Sequence, residues 1–218
     1  RNRIINGGMK ISQRGTSFSF AHDGTSNGYH LDRFKIFLHN TDEYDCTVSQ
    51  YSMTAAEINT TGHTKALKLL TGTAESAIAN DEYARITYRP EAKDIQDFLH
   101  GTASAKTITL SFWVKSSVAG TFGFNLYGYV SSGTARIINL SYTIDVANTW
   151  EHKTIQIPGD TGGNLAPNDT TAGFILIWQL ASGSDRYSTA ATSWGDYATT
   201  RLMGNHSDAV ITTASADW

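Results

Sequence analysis

Between residues 106 and 116 apolar and polar side chains alternate strictly. Ile108, Leu110, Phe112 and Val114 are interleaved with Thr109, Ser111, Trp113 and Lys115. Successive side chains of a strand point to opposite faces, so this period of two specifies a half-buried strand. The pattern recurs in short pieces along the chain. Candidate strands cover residues 9–14, 29–38, 44–51, 65–71 and 83–88, then 106–116, 121–130, 135–144, 150–157 and 172–180. The stretches between them, such as HDGTSNG, NTTGH, SSVAG, PGDTGGN and ASGSD, consist of turn formers. Strands of this length and spacing predict an antiparallel sandwich or barrel.

One segment reads as helical, residues 89–101. Pro90 suits a first turn, Glu91 favours the N-terminus, Gly101 can end it, and Ile95, Phe98 and Leu99 form one apolar stripe. Residues 184–218 are polar with weak periodicity and read as a long ordered loop bearing Tyr187, Trp194 and Tyr197. These rings are placed either at a binding site or packed on the sandwich edge. With no internal repeat or linker, residues 1–218 are expected to form a single domain.

Hydrophobic residues make up 40% and charged residues 17% of the 218, enough for a core and too apolar for disorder. The formal net charge is −3 and the basic residues are scattered singly, which argues against a nucleic-acid partner. The lone cysteine, Cys46, rules out an intramolecular disulfide and reads as a small buried hydrophobe. No apolar run reaches the length of a membrane-spanning helix, so no membrane insertion is expected, and no signal peptide is visible. The sequence opens on Arg1 rather than methionine, as a processed product or a piece of a longer chain would.

The opening INGGMKISQRGTSF, followed by GYHLDRFKI, resembles the start of many tailed-phage virion proteins: tail-fibre, head-fibre or appendage proteins. KTITLSFWVKSSVAGTFGFNL, TWEHKTIQIPGDTGG and FILIWQL fit the same group. They also look like the jelly-roll carbohydrate-binding modules of secreted glycan-degrading enzymes. The resemblance implies an all-β fold, an antiparallel β-sandwich of jelly-roll type with one short helix. It implies a virion component that touches host surface glycans or neighbouring subunits, commonly as a homo-oligomer with a trimer favoured. A binding module of a polysaccharide-degrading enzyme is the alternative. Phe34 stands where the group usually has tryptophan, and a further strand of the type ITGVQLEVG is expected after Trp218.

Motifs for chemistry are sparse. There is no G-x-S-x-G, no H-E-x-x-H and no phosphate-binding glycine loop, and the seven histidines read as surface or turn residues. The expectation is a protein without turnover. The resemblance admits a structural calcium, with Asp160, Asn164 and Asp23 as loop oxygen donors. Arg14 and Arg33 are each expected to seek a carboxylate.

The remaining question is why Trp113 lies on the polar face of its strand. Asn125, Tyr127 and Tyr129 share the polar face of the next one. If the two core faces are aligned, these four project together, with Lys115 and Arg136 as added donors. Such a cluster suits a subunit contact, sugar stacking or internal packing.

Overall fold

The computed structural model describes residues 2–21, 24–186, 192–198, 206–207 and 209–218, with the side chains of 24–27 left out of account. The chain is an antiparallel β-sandwich with minor helical content. Twelve strands are present among the described residues: β1 (Ser17–Phe20), β2 (Gly24–Tyr29), β3 (Phe34–Thr41), β4 (Cys46–Ser52), β5 (Lys65–Thr71), β6 (Tyr83–Tyr88), β7 (Ile108–Val114), β8 (Gly120–Gly128), β9 (Arg136–Ile144), β10 (Glu151–Ile157), β11 (Phe174–Ser182) and β12 (Gly195–Asp196). One layer is a seven-stranded sheet in the order β12-β9-β8-β11-β6-β3-β2. The facing layer consists of two separate ladders, β1-β4-β5 and β10-β7. The chain passes repeatedly between the layers, as a jelly roll requires.

Alternation decides which side chains enter the core. Phe34, Ile36 and Leu38 of β3, Phe122, Phe124 and Leu126 of β8, and Trp178 and Leu180 of β11 are buried in one cluster with Leu110 and Val114 of β7. All nine residues of β11 are buried, which fits its position at the centre of the larger sheet. Burial also governs Cys46, which is 2% exposed with its thiol pushed up to about 12.

Several local expectations are corrected. Residues 9–14 form no strand. Asn6 and Met9 adopt left-handed backbone, and Asn6 binds Ile11 through both ends of its amide. The predicted strand 29–38 is broken by a turn in which Arg33 has φ 77°, so β3 begins only at Phe34. Arg14 lies 3.7 Å from Asp32 and Arg33 lies 3.7 Å from Glu91, but both pairs are partly exposed and outside strands. The helical segment is a 3-10 helix, Ala92–Phe98. An unforeseen α-helix, α1 (Ala55–Thr61), links β4 to β5, and a second, α2 (Ala209–Thr212), packs on β11. His30 and His100 are buried against aromatic rings rather than exposed. No helix among the described residues is long and apolar enough to cross a membrane.

The two ladders of the facing layer leave a cleft of about 640 Å³ between residues 65–67 of β5 and the edge of β7. Phe34, Ile86 and Trp178 line it from the larger sheet. Two links cross from one ladder to the other. Trp218 exchanges both backbone hydrogen bonds with Leu69, while Asp217 accepts from Ser117 N at 3.1 Å. Glu57 of α1 binds Lys115 and Trp150. The last described residues thus pair with β5.

Candidate functional site

The predicted cluster divides among three places. Trp113 belongs to β7 in the facing layer and Lys115 follows it, whereas Asn125 and Tyr127 belong to β8 and Tyr129 follows it, in the seven-stranded sheet. Strands adjacent in sequence commonly pair, but here the chain changes layers between them. Trp113 therefore does not join the tyrosines. It lies against His152, with ring centroids 5.2 Å apart, and lines the cleft with Lys115. Lys115 is held by Glu57 at 2.6 Å.

Arg136 and Trp194 sit together at one end of the sandwich. The Arg136 guanidinium binds both oxygens of Asp160, at 2.9 and 3.1 Å, and also Asp196 at 2.5 Å. Trp194 donates to the Pro158 carbonyl and stands edge-on to His100, which is the packed reading of that ring. Of the residues expected to hold a calcium, Asp160 is already engaged by Arg136 and by Gly162 N, and Asn164 donates its amide nitrogen to Ser132. Asp23, like Tyr187, lies outside the described residues. The carboxylates that do converge are Asp42, Glu75 and Glu82, with oxygens within 4.8 Å of one another. Burial pushes the Glu75 and Glu82 carboxyls up, which favours their protonated forms.

The third place is the outer face of the seven-stranded sheet. Asn125, Gln179, Arg85 and Phe37 alternate with core residues of β8, β11, β6 and β3, so all four point away from the sandwich interior. Strand register lines up Gln179, Arg85 and Phe37 in a transverse row, and Asn125, whose partner on β11 is Ile177, lies diagonally from Gln179. Asn125 is opposite Asn139, Gln179 is opposite Arg85, and Arg85 is opposite Phe37. The amides are chained: Gln179 Nε2 donates to Asn125 Oδ1 at 3.1 Å, and Asn125 Nδ2 donates to Asn139 Oδ1 at 2.5 Å.

Aromatic rings flank this row. Tyr127 stands edge-on to both Tyr129 and Tyr197, with centroids 5.0 Å apart in each case, and shares a small cluster with Ile137. On the other flank Tyr83 stacks on Phe37 at 5.6 Å and on His39 at 4.7 Å. Arg85 lies over both Phe37 and Tyr83, 5.0 and 4.6 Å from their centroids. Burial pushes the Tyr127 hydroxyl up, and its neighbours Tyr129 and Tyr197 add to this.

The row is not fully satisfied. Gln179 Oε1 and Arg85 Nε are buried without a hydrogen-bond partner among the described residues. Of the residues on this face, Asn125, Tyr127, Tyr129 and Tyr197 are candidates from the sequence, whereas Gln179, Arg85, Phe37 and Tyr83 are not. Gln179 was hidden in a run that reads as core. Arg85, in YARITY, is a charged residue on the outward side of an otherwise apolar strand, and that was the available signal.

No family model and no curated protein matches the sequence. Among solved structures, the enzymatically active domain of tailspike protein 4 of bacteriophage CBA120 matches at 13% identity and a TM-score of 0.42. The match covers 81% of this chain and 20% of that one, so this chain spans about a fifth of that protein's length. The family 11 carbohydrate-binding module of a cellulosomal cellulase of Clostridium thermocellum matches at 14% identity and a TM-score of 0.36, over 80% of this chain and 85% of that one. A Clostridium thermocellum family 11 module in complex with a β-1,3-1,4-mixed-linked tetrasaccharide matches at 12% identity and a TM-score of 0.36, over 77% and 88%. At these identities no residue role carries over from any of them.

Proposed function

We propose that this chain is a non-catalytic binding module that holds a polysaccharide on the outer face of its seven-stranded sheet. The observation that carries the reading is the unsatisfied pair in the floor of that face, Gln179 Oε1 and Arg85 Nε. Buried polar groups in folded proteins are ordinarily hydrogen-bonded, so an unpaired acceptor and donor on one face call for an explanation, and a ligand supplies one. Sugar hydroxyls both donate and accept, so they suit an acceptor and a donor side by side. The C–H face of a sugar ring packs on aromatic rings such as the half-buried Tyr127.

The cleft beside Trp113 is a second candidate seat. Its floor is core side chains, and its walls bring His63, Lys65, Lys115 and His152 beside Trp113 and Trp150. The outer face is preferred because it holds an unpaired acceptor and donor side by side.

Recognition of this kind needs no covalent step. It serves a virion appendage that touches host surface glycans and equally an accessory module of a polysaccharide-degrading enzyme. The ISQRG and LDRF set favours the virion setting, with the chain outside the cell and assembled as a homo-oligomer, a trimer by preference. Affinity electrophoresis against a panel of polysaccharides tests the proposal. Tyr127→Ala and Gln179→Leu are expected to abolish retardation while Trp113→Ala preserves it. Loss of binding in Trp113→Ala alone would move the site to the cleft.

A further inference from the structure

We infer that the polysaccharide taken by this face is acidic, with carboxylates or equivalent anions spaced along it. This inference rests on the proposed binding role of the same face. It stands on four cations gathered there: Lys35 of β3, Arg85 of β6, Arg89 just beyond β6, and Arg186 just beyond β11. None of the four forms a salt bridge among the described residues, although many of the chain's other basic side chains do. The chain as a whole is acidic, with a formal net charge of −3, so this excess of positive charge is local.

The cations are close enough to repel one another. Burial lowers the proton affinity of Lys35, and Arg89 and Arg85 lower it further. Burial does the same at Arg85, where Arg89 and Arg186 oppose the neighbouring hydroxyls of Tyr83 and Tyr197. Gln179, opposite Arg85 and hydrogen-bonded to Asn125, links the cationic flank to the strand that bears Tyr127. The Asp81 carboxylate is engaged by Asn40 at 2.5 Å, while the Asp81 backbone carbonyl accepts from Arg186 Nε at 3.2 Å.

Presentation is as telling as charge. Arg85 is held over two rings, and its Nε is buried and unpartnered, as is that of Arg89. Arg186 lies 5.2 Å over Tyr83, with its Nη2 3.2 Å from His39 Nε2. Lys35 lies 5.5 Å over Phe37. Partly buried cations without counter-ions are costly to a fold, and a ligand anion removes that cost. A guanidinium presents parallel N–H groups that match a carboxylate, and stacking on rings fixes the direction in which they point.

The decisive experiment compares polygalacturonate, alginate and polysialic acid, each beside its carboxyl-reduced counterpart, together with neutral glucans. At least one acidic polymer is expected to bind at least about tenfold more tightly than its reduced form, with affinity falling as salt rises. Arg85→Gln and Arg89→Gln should each remove most of that preference. Two variants guard against misfolding, and Lys65→Gln in the facing layer should change nothing. Equal binding of reduced and acidic forms, or binding to neutral glucans only, overturns the acidic inference and leaves the glycan role standing. No binding to any glycan removes both. Equal competition by single-stranded DNA would show a general polyanion patch and also overturns the inference.

Discussion

Glu57 and Lys115 meet at 2.6 Å, joining α1 of one ladder to the end of β7 in the other. Glu57 also accepts from Trp150 Nε1, from the Tyr51 hydroxyl and from Thr54 N, the last completing a capping box on α1. Burial raises its carboxyl, but the donors, Lys115 foremost, outweigh burial and hold it well below the usual carboxylate range. Glu57→Gln is expected to cost about 2–4 kcal/mol in urea unfolding, since it strands a partly buried lysine and weakens a cap. The sign with pH is fixed by the lowered value. The stabilisation is complete above the unfolded carboxyl's range near pH 4.5 and fades as pH falls toward the folded value. The difference between wild type and variant should shrink on acidification.

His206 gives a second acid limb. Burial lowers its imidazole to about 4, and Nδ1 accepts from Gly123 N at 2.9 Å, which requires the neutral ring. Between pH 6.5 and 4 the unfolded chain binds the proton and the folded chain does not. Stability should therefore fall as pH falls across that window, by on the order of 3 kcal/mol, and then level off. The raised carboxyls of Glu75 and Glu82 act in the opposite sense. The clean measurement is thus the wild type minus His206→Asn difference, followed by thermal unfolding at each pH. A difference independent of pH would refute the assignment.

Trp113 and Tyr127 should separate stability from recognition. Trp113 is half-buried at the cleft and Tyr127 half-buried on the opposite sheet. Each alanine variant should lose about 1–3 kcal/mol of stability from lost ring burial. Only Tyr127→Ala should weaken polysaccharide binding, as read by isothermal titration.

Gly183 and Gly62 test close approach against backbone conformation. A Cβ on Gly183 would lie 1.9 Å from the Ala79 carbonyl oxygen, so backbone must move. One on Gly62 meets nothing within 4 Å, and only its φ of +75° resists. Gly183→Ala is expected to cost about 3 kcal/mol or more, and Gly62→Ala about 1 kcal/mol. Equal losses would mean that the 183 loop relaxes freely.

Strands with strict alternation were legible almost to the residue. Residues 65–71 and 83–88 are β5 and β6, and the reading of 150–157 starts one residue before β10. Alternation is local, so sequence carries it. Residues 9–14 have the right residue types, but Asn6 and Met9 turn the chain by adopting left-handed backbone, which no periodicity records. The helix α1 has a single large apolar residue, Ile58, and was signalled only by its capping box, Thr54 with Glu57, and by Gly62 at its end. The candidate site was half visible for a different reason. Alternation tells that Trp113 and Tyr127 face away from their strands' apolar sides, but not which layer each strand joins. That choice is made by long-range pairing, and it put the two rings on opposite sheets.

The cleft between β5 and β7 bears on how the molecule yields under load. One layer is a continuous seven-stranded plate, while the other is two panels joined by a few side chains and by residues 215–218. Tension across the panels meets no continuous hydrogen-bonded ladder at this seam. The panels can part there while both ladders and the binding face stay intact, which makes the seam the mechanical weak line of the fold and leaves the sheet that carries the ligand as its rigid member.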